Sequence, residues 1–220
     1  MDFSGPETTD FINVHSLNHA FLSGLRRPTS GRQLRHQMTP RVRPIIRGLT
    51  DLQIRRLSAT PFLLLSLRER DDAYWQRLFA DGATEDLFLT PGSDVESEQL
   101  ATAGVAFLWQ LARRNSYAAR LLSGATIRWC EQLAEHTLLR LLQRTSRYRD
   151  LLQPRLAANE QYWLKLLGPG LSSEAQVRNA AYLSALQAIL TENPVDTYRP
   201  LKAAACSTLV PSLRVAERND

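Results

Sequence analysis

The chain has 220 residues, 44% of them apolar and 22% charged, with a net charge of +5 and a sequence pI of about 9.6. Length and composition together suit a chain that buries a sizeable core, which excludes wholesale disorder and makes one domain the default. The basic balance permits an acidic partner without requiring one.

In chain order, residues 1–9 read as a frayed leader. Acids and polar groups stand where a secretion signal needs a basic start and an apolar run, so a cytoplasmic protein is expected. Asp10 is expected to cap a helix through Leu25, with Phe11, Val14, Leu17, Phe21 and Leu22 on one face. Residues 26–48 break the pattern, because Pro28, Gly31, Pro40 and Pro44 interrupt a stretch poor in apolar residues. A helical turn is possible at 32–38; the rest reads as an extended, arginine-rich arm.

Thr50 opens a short helix carrying Leu52, Ile54 and Leu57. Thr60 and Pro61 then give a cap and first-turn signal for a helix over 62–79, kinked near the charged residues 68–72. Residues 81–97, with Pro91 and Gly92, read as an acidic surface loop. From Ser97 a helix runs to about Arg114, apolar on most sides and therefore central. A short helix follows at 117–122.

Residues 126–147 contain no Gly or Pro and place Cys130, Leu133, Ala134, Thr137, Leu138, Leu141 and Leu142 at spacings of three and four. This predicts one long amphipathic helix, the spine of the domain, packed by the helices at 97–114, 156–167 and 173–191. On that reading a charge at Leu138 unfolds the domain, while Glu131→Ala costs little. Pro194, Pro200 and Pro211 punctuate an irregular C-terminal tail. The expected fold is all-α: a single-domain bundle of seven or eight helices, with a short helix and basic arm in 1–49, the bundle core in 50–192 and the tail in 193–220. The longest apolar-rich stretch, 101–112, is too short to span a bilayer, so no membrane insertion is expected.

Chemistry-bearing residues are few. His15 and His19 stand four apart on the first helix but lack a third ligand at suitable spacing. Glu131, Glu135 and His136 do not make the Glu-x-x-His pattern of a di-iron bundle. Cys130 and His136, six apart on one helix, would be separated by roughly 9 Å of rise. Nucleophile elbows and phosphate-binding glycine loops are absent. Cys130 and Cys206 make neither a disulfide framework nor a zinc pattern, which fits a reducing compartment. Trp75, Trp109, Trp129 and Trp163 all fall on predicted helices and read as core. No cofactor is implied.

Charge segregation is the clearest functional signal. Residues 26–56 hold nine arginines against Asp51, a net +8, while 81–98 hold six acids and no base. Of the 27 basic residues only Lys165 and Lys202 are lysine, a bias that genomic base composition produces by itself. Arg26, Arg27, Arg32, Arg35, Arg41, Arg43 and Arg47 are the candidate contact residues, facing either a partner, solvent or the acidic run 81–98. The expectation is a non-catalytic adaptor or regulatory protein that binds another protein through its N-terminal third. A nucleic-acid-binding regulator using the same arginines is the alternative. An enzyme or carrier with an apolar pocket between helices is the third reading. A helix-turn-helix over 50–67 is disfavoured, because its second helix would offer an apolar run to the groove.

Overall fold

The computed structural model describes residues 5–28, 31–80 and 95–191. Among these the chain is all-α, with eleven α-helices and one two-residue ladder. The count exceeds seven or eight because one predicted helix is split and the arginine-rich arm is itself helical. None of the described helices is long and apolar enough to cross a membrane. The expected acidic loop falls largely on residues 81–94 and the expected tail on 192–220, both outside the described residues.

The first helix, α1 (Thr8–Arg26), is capped by Glu7 and not by Asp10. Asp10 instead sits in the first turn and accepts from the Glu7 amide at 2.8 Å, the return bond of a capping box. Val14, Leu17, Phe21 and Leu22 are buried, as their spacing predicts, together with Leu25, while Phe11, expected on the same face, lies in the exposed first turns. This face meets α4 (Asp51–Ser58) and α6 (Val95–Arg114). Between α1 and α4 the arm departs from its extended reading and folds into α2 (Arg32–His36) and α3 (Val42–Arg47). Pro44 stands in the first turn of α3, where its missing N–H costs no helical bond.

The largest departure lies at 62–79. Only α5 (Asp72–Ala80) is helical; residues 60–67 run extended through the interior. Phe62, Leu63, Leu64, Leu65 and Leu67 are completely buried. A run apolar on every side suits an extended segment enclosed all round, provided each backbone group finds a partner. Asn18 on α1 supplies two of those bonds and a third to a side chain of the same run. Its amide donates to Thr60 Oγ1 at 3.0 Å and to the Phe62 carbonyl at 2.8 Å, and its oxygen accepts from the Leu64 amide at 2.8 Å. Arg155 donates to the carbonyls of Leu63 and Leu65 at 2.7 and 2.6 Å. Backbone bonds join the Leu63 amide to Leu122 and the Leu64 carbonyl to the Arg155 amide, each at 2.9 Å. Strand β1 (Leu65–Ser66) pairs antiparallel with β2 (Gln153–Pro154) in the register Leu65 to Pro154.

Residues 126–147 form two helices, α8 (Ile127–Glu135) and α9 (Leu138–Thr145). His136 is extended and Thr137 caps α9 through the Arg140 amide. The backbone bonds lost at the break are offset elsewhere: the His136 carbonyl accepts from Trp109 Nε1 at 2.7 Å. Its imidazole stacks on Phe79 at 4.4 Å between ring centroids. With the helix broken, Leu133 and Leu141 are fully buried while Leu138 is half-buried. The expected sensitivity at Leu138 therefore belongs to those two leucines.

The preceding helix, α7 (Ser116–Ser123), is capped by Asn115 and ends on left-handed Gly124, φ 68°. Ile189 fills the space a side chain at Gly124 would need. After β2, Leu156 is also left-handed, φ 46°, and the next helix begins later than predicted, as α10 (Glu160–Leu167) capped by Asn159. A 3₁₀ turn (Pro169–Leu171) leads to α11 (Ala175–Thr191). The pair α10 and α11 packs on itself and toward α3, and α6, not α10 or α11, is the main support of α8 and α9. One continuous core cluster links residues from Val14 to Ile189.

Candidate functional site

Two clefts concentrate charge. The first is built by α2 and α3, and four of the seven candidate arginines line it. The segment joining α1 to α2 is pinned by Gly31. A methyl group there would lie 2.2 Å from the Gly24 carbonyl oxygen and 2.8 Å from Arg35 Nη1, so only glycine permits this approach. Arg35 is buried and turns back to close the end of α1. It donates to the carbonyls of Leu25 and Arg27, and to Pro28 at 2.9 Å. Arg43 does the same for α2, donating to the carbonyls of Met38 and His36, each at 2.8 Å. Both arginines satisfy orphan carbonyls at helix ends and add a cation to the negative end of the dipole.

On α3, Val42 and Ile46 face the core. Arg43 and Arg47, one residue further along, share the neighbouring face. On α2, Arg32 and His36 stand at the same spacing of four. These two pairs, with Arg35 and Pro28, enclose a cavity of about 270 Å³ whose lining holds no carboxylate. Arg32, His36 and Arg47 are exposed. Burial, then the like charges of Arg47 and Arg32, push the Arg35 guanidinium below its ordinary value. Among the described residues, then, the cleft gathers positive charge and is lined by no carboxylate.

The other three candidates lie elsewhere and are engaged. Arg26 pairs with Asp51 at 2.5 Å, which with its charge holds that carboxyl below the usual range. Arg27 pairs with Glu96, and Arg41 with Glu160 at 3.3 Å. Among the described residues, Arg32 and Arg47 have no such partner. The i, i+4 pairing Arg32/His36 and Arg43/Arg47 was the sequence signal for this cleft, obscured by the prolines that made the stretch look extended.

The second cleft, about 420 Å³, lies beside the ladder between Ser66–Asp72 and Gln153–Leu156. Sequence reading missed it. Its floor is the buried pair Glu69 and Arg155, 2.5 Å apart. Glu69 also accepts from Ser66 Oγ and the Leu67 amide, both at 2.8 Å. Its two lips carry the non-glycine residues with positive φ, Arg68 at 54° and Leu156 at 46°. Arg68 joins Asp71 at 2.7 Å and Asp150, and lies 4.1 Å over the Tyr74 ring. The Tyr74 hydroxyl donates to Asp150 at 2.9 Å; burial and that carboxylate raise its pKa. Arg70 donates to the carbonyls of Gly124 and Ile189. Here each cation meets an anion or carbonyl of the protein, so the cleft joins segments far apart in sequence.

The remaining sequence candidates are separated or buried. His15 and His19 are exposed, with ring centroids 6.4 Å apart. Among the described residues no group of three His, Cys, Asp or Glu side chains is placed to hold a metal. Cys130 is buried, and burial followed by the Glu69 charge pushes its thiol up to about 12. Trp75, Trp129 and Trp163 are buried in the core, and no tryptophan lines either cleft. Comparison with protein-family models, curated proteins and solved structures finds no match for this chain.

Proposed function

We propose that the protein is a non-catalytic adaptor or regulatory protein, and that it binds an acidic segment of a partner protein in the cleft between α2 and α3. One observation carries this reading: Arg32 and Arg47, with His36, face a cavity that no carboxylate lines. Of the seven candidate arginines, Arg26, Arg27, Arg35, Arg41 and Arg43 are paired within the protein, and Arg32 and Arg47 are not, among the described residues. A buried cation behind them, Arg35, adds to the attraction.

The same distribution favours an acidic protein segment over nucleic acid. Affinity for a nucleic-acid backbone at physiological salt rests on about 6–10 phosphate contacts. Three of the seven arginines are engaged with Asp51, Glu96 and Glu160, and two with helix-end carbonyls. Two arginines without a partner among the described residues suit a compact acidic determinant better than a long polyanion.

Fluorescence anisotropy with labelled acidic peptides, beside a neutral peptide and a single-stranded oligonucleotide, tests the reading. The acidic peptides bind, and Arg32→Ala with Arg47→Ala weakens them about tenfold or more, as loss of charge-assisted hydrogen bonds requires. Arg55→Ala, an exposed arginine away from the cleft, leaves binding unchanged. Binding indifferent to the double substitution sinks the proposal, and an oligonucleotide that binds more tightly than every peptide replaces it with the nucleic-acid reading.

A further inference from the structure

We infer that the determinant this cleft reads is a phosphorylated serine or threonine on the partner segment, an inference that rests on the docking site proposed above. The geometry distinguishes a phosphate from a row of carboxylates by convergence. A stretch of Asp and Glu side chains spreads single charges along a chain and is matched by cations spread along a groove. Here the cations are gathered. Arg32, Arg43 and Arg47 come from two short helices and, beside His36, line one cavity of about 270 Å³, with Arg35 behind them.

A phosphate monoester puts a charge of about −1.5 to −2 and three acceptor oxygens at one point. A single carboxylate supplies half of that charge and two oxygens. The arginines left for a ligand are also the right kind. The donors of Arg35 are turned onto the carbonyls of Leu25, Arg27 and Pro28, and those of Arg43 onto Met38 and His36. They contribute field and hold the wall in place. Arg32 and Arg47 keep their planar forks, which suit phosphate oxygens two at a time. Their side of the cleft is exposed, which suits a group carried on a peptide; a free small anion is held more completely, with most of its surface buried. Arg35 gives an independent reason for a strongly charged ligand. Its buried guanidinium has no carboxylate partner among the described residues, and its cationic neighbours on this side, Arg32 and Arg47, share its sign. A dianion in the cavity relieves that repulsion.

The test is isothermal titration of the full chain with three peptide libraries of degenerate flanking sequence. They are identical except for a fixed central phosphoserine, glutamate or serine. The phosphoserine library binds at least tenfold more tightly than the glutamate library, serine does not bind, and inorganic phosphate displaces the phosphoserine library. Arg47→Lys keeps the charge but removes the fork, and weakens phosphoserine binding several-fold. The pair Arg32→Ala and Arg47→Ala abolishes it, with circular dichroism unchanged because both residues are exposed. Equal affinity for glutamate and phosphoserine overturns the phosphate inference and leaves acidic docking standing. Binding by neither library overturns both. Inorganic phosphate that binds as tightly as the phosphoserine library makes the cleft a site for a free anion and overturns the peptide assignment.

Discussion

Glu69 and Arg155 are buried to 1% and 3% side-chain exposure and join the run 63–69 to the strand that precedes α10. Such a pair contributes little by charge attraction alone, since desolvation offsets most of it, but removing one member strands the other. Glu69→Ala should therefore cost about 3–5 kcal/mol in a denaturant titration. The double replacement Glu69→Leu with Arg155→Leu separates two roles. If the pair were only an ion pair, the double variant would be near neutral. Arg155 also satisfies the carbonyls of Leu63 and Leu65, so the double variant should remain destabilised by about 1–3 kcal/mol for each carbonyl left unpaired. Neither residue was singled out by its sequence context, because their partners lie 86 to 92 positions away.

At the scale of elements, residues 126–147 show how periodicity and capping compete. The apolar spacing continues across the break, and by that signal alone one helix is predicted. Thr137 is a good cap residue, yet in the middle of a regular stripe its capping signal is weak against the stripe. Trp109 and Phe79 tip the balance by giving His136 a hydrogen-bond donor and a stacking surface. The consequence is measurable. Leu133→Ala and Leu141→Ala should each cost about 2–5 kcal/mol, as fully buried leucines do. Leu138→Ala should cost less than half as much; equal losses at all three positions would mean that 126–147 packs as one continuous helix. The arm between α1 and α4 shows the opposite error. Its prolines and sparse apolar residues suggested an extended strap, but Leu34, Met38, Val42 and Ile46 are enough to bury one side of two short helices.

On the scale of the whole molecule, the extended run at 60–67 is the centre around which the helices are arranged. Asn18 ties it to α1, Arg155 to the ladder and the Leu122 carbonyl to α7. The core is accordingly continuous from α1 to α11. Asn18→Ala leaves the Leu64 amide unpaired at that centre and the Phe62 carbonyl with only the bond from Thr60 Oγ1 at 3.3 Å. It should lower stability by about 1–3 kcal/mol for the stranded amide, and it should do so for the molecule as one unit. Circular dichroism and tryptophan fluorescence should report coincident unfolding curves, with Trp75, Trp129 and Trp163 all in the affected core. A separate early transition of the N-terminal helix would show that α1 is not integral to the core. The charge distribution belongs to this scale too. Ion pairs from Arg26, Arg27 and Arg41 to α4, α6 and α10 engage three of the nine arginines of 26–56, and four of the other six line the cleft at α2 and α3.

By itself the sequence determined the helical class, the buried face of α1 from Val14 to Leu22, the opening of α4 at Thr50, and the basic character of the N-terminal third. These are local properties: helical periodicity, capping and charge are set by residues within four positions of one another. Tertiary structure alone decided that 60–67 is extended, that 126–147 is broken, and which of the N-terminal arginines are paired within the protein. Each of those outcomes depends on where a backbone group or a charge finds its partner, and those partners come from 25 to 119 residues away.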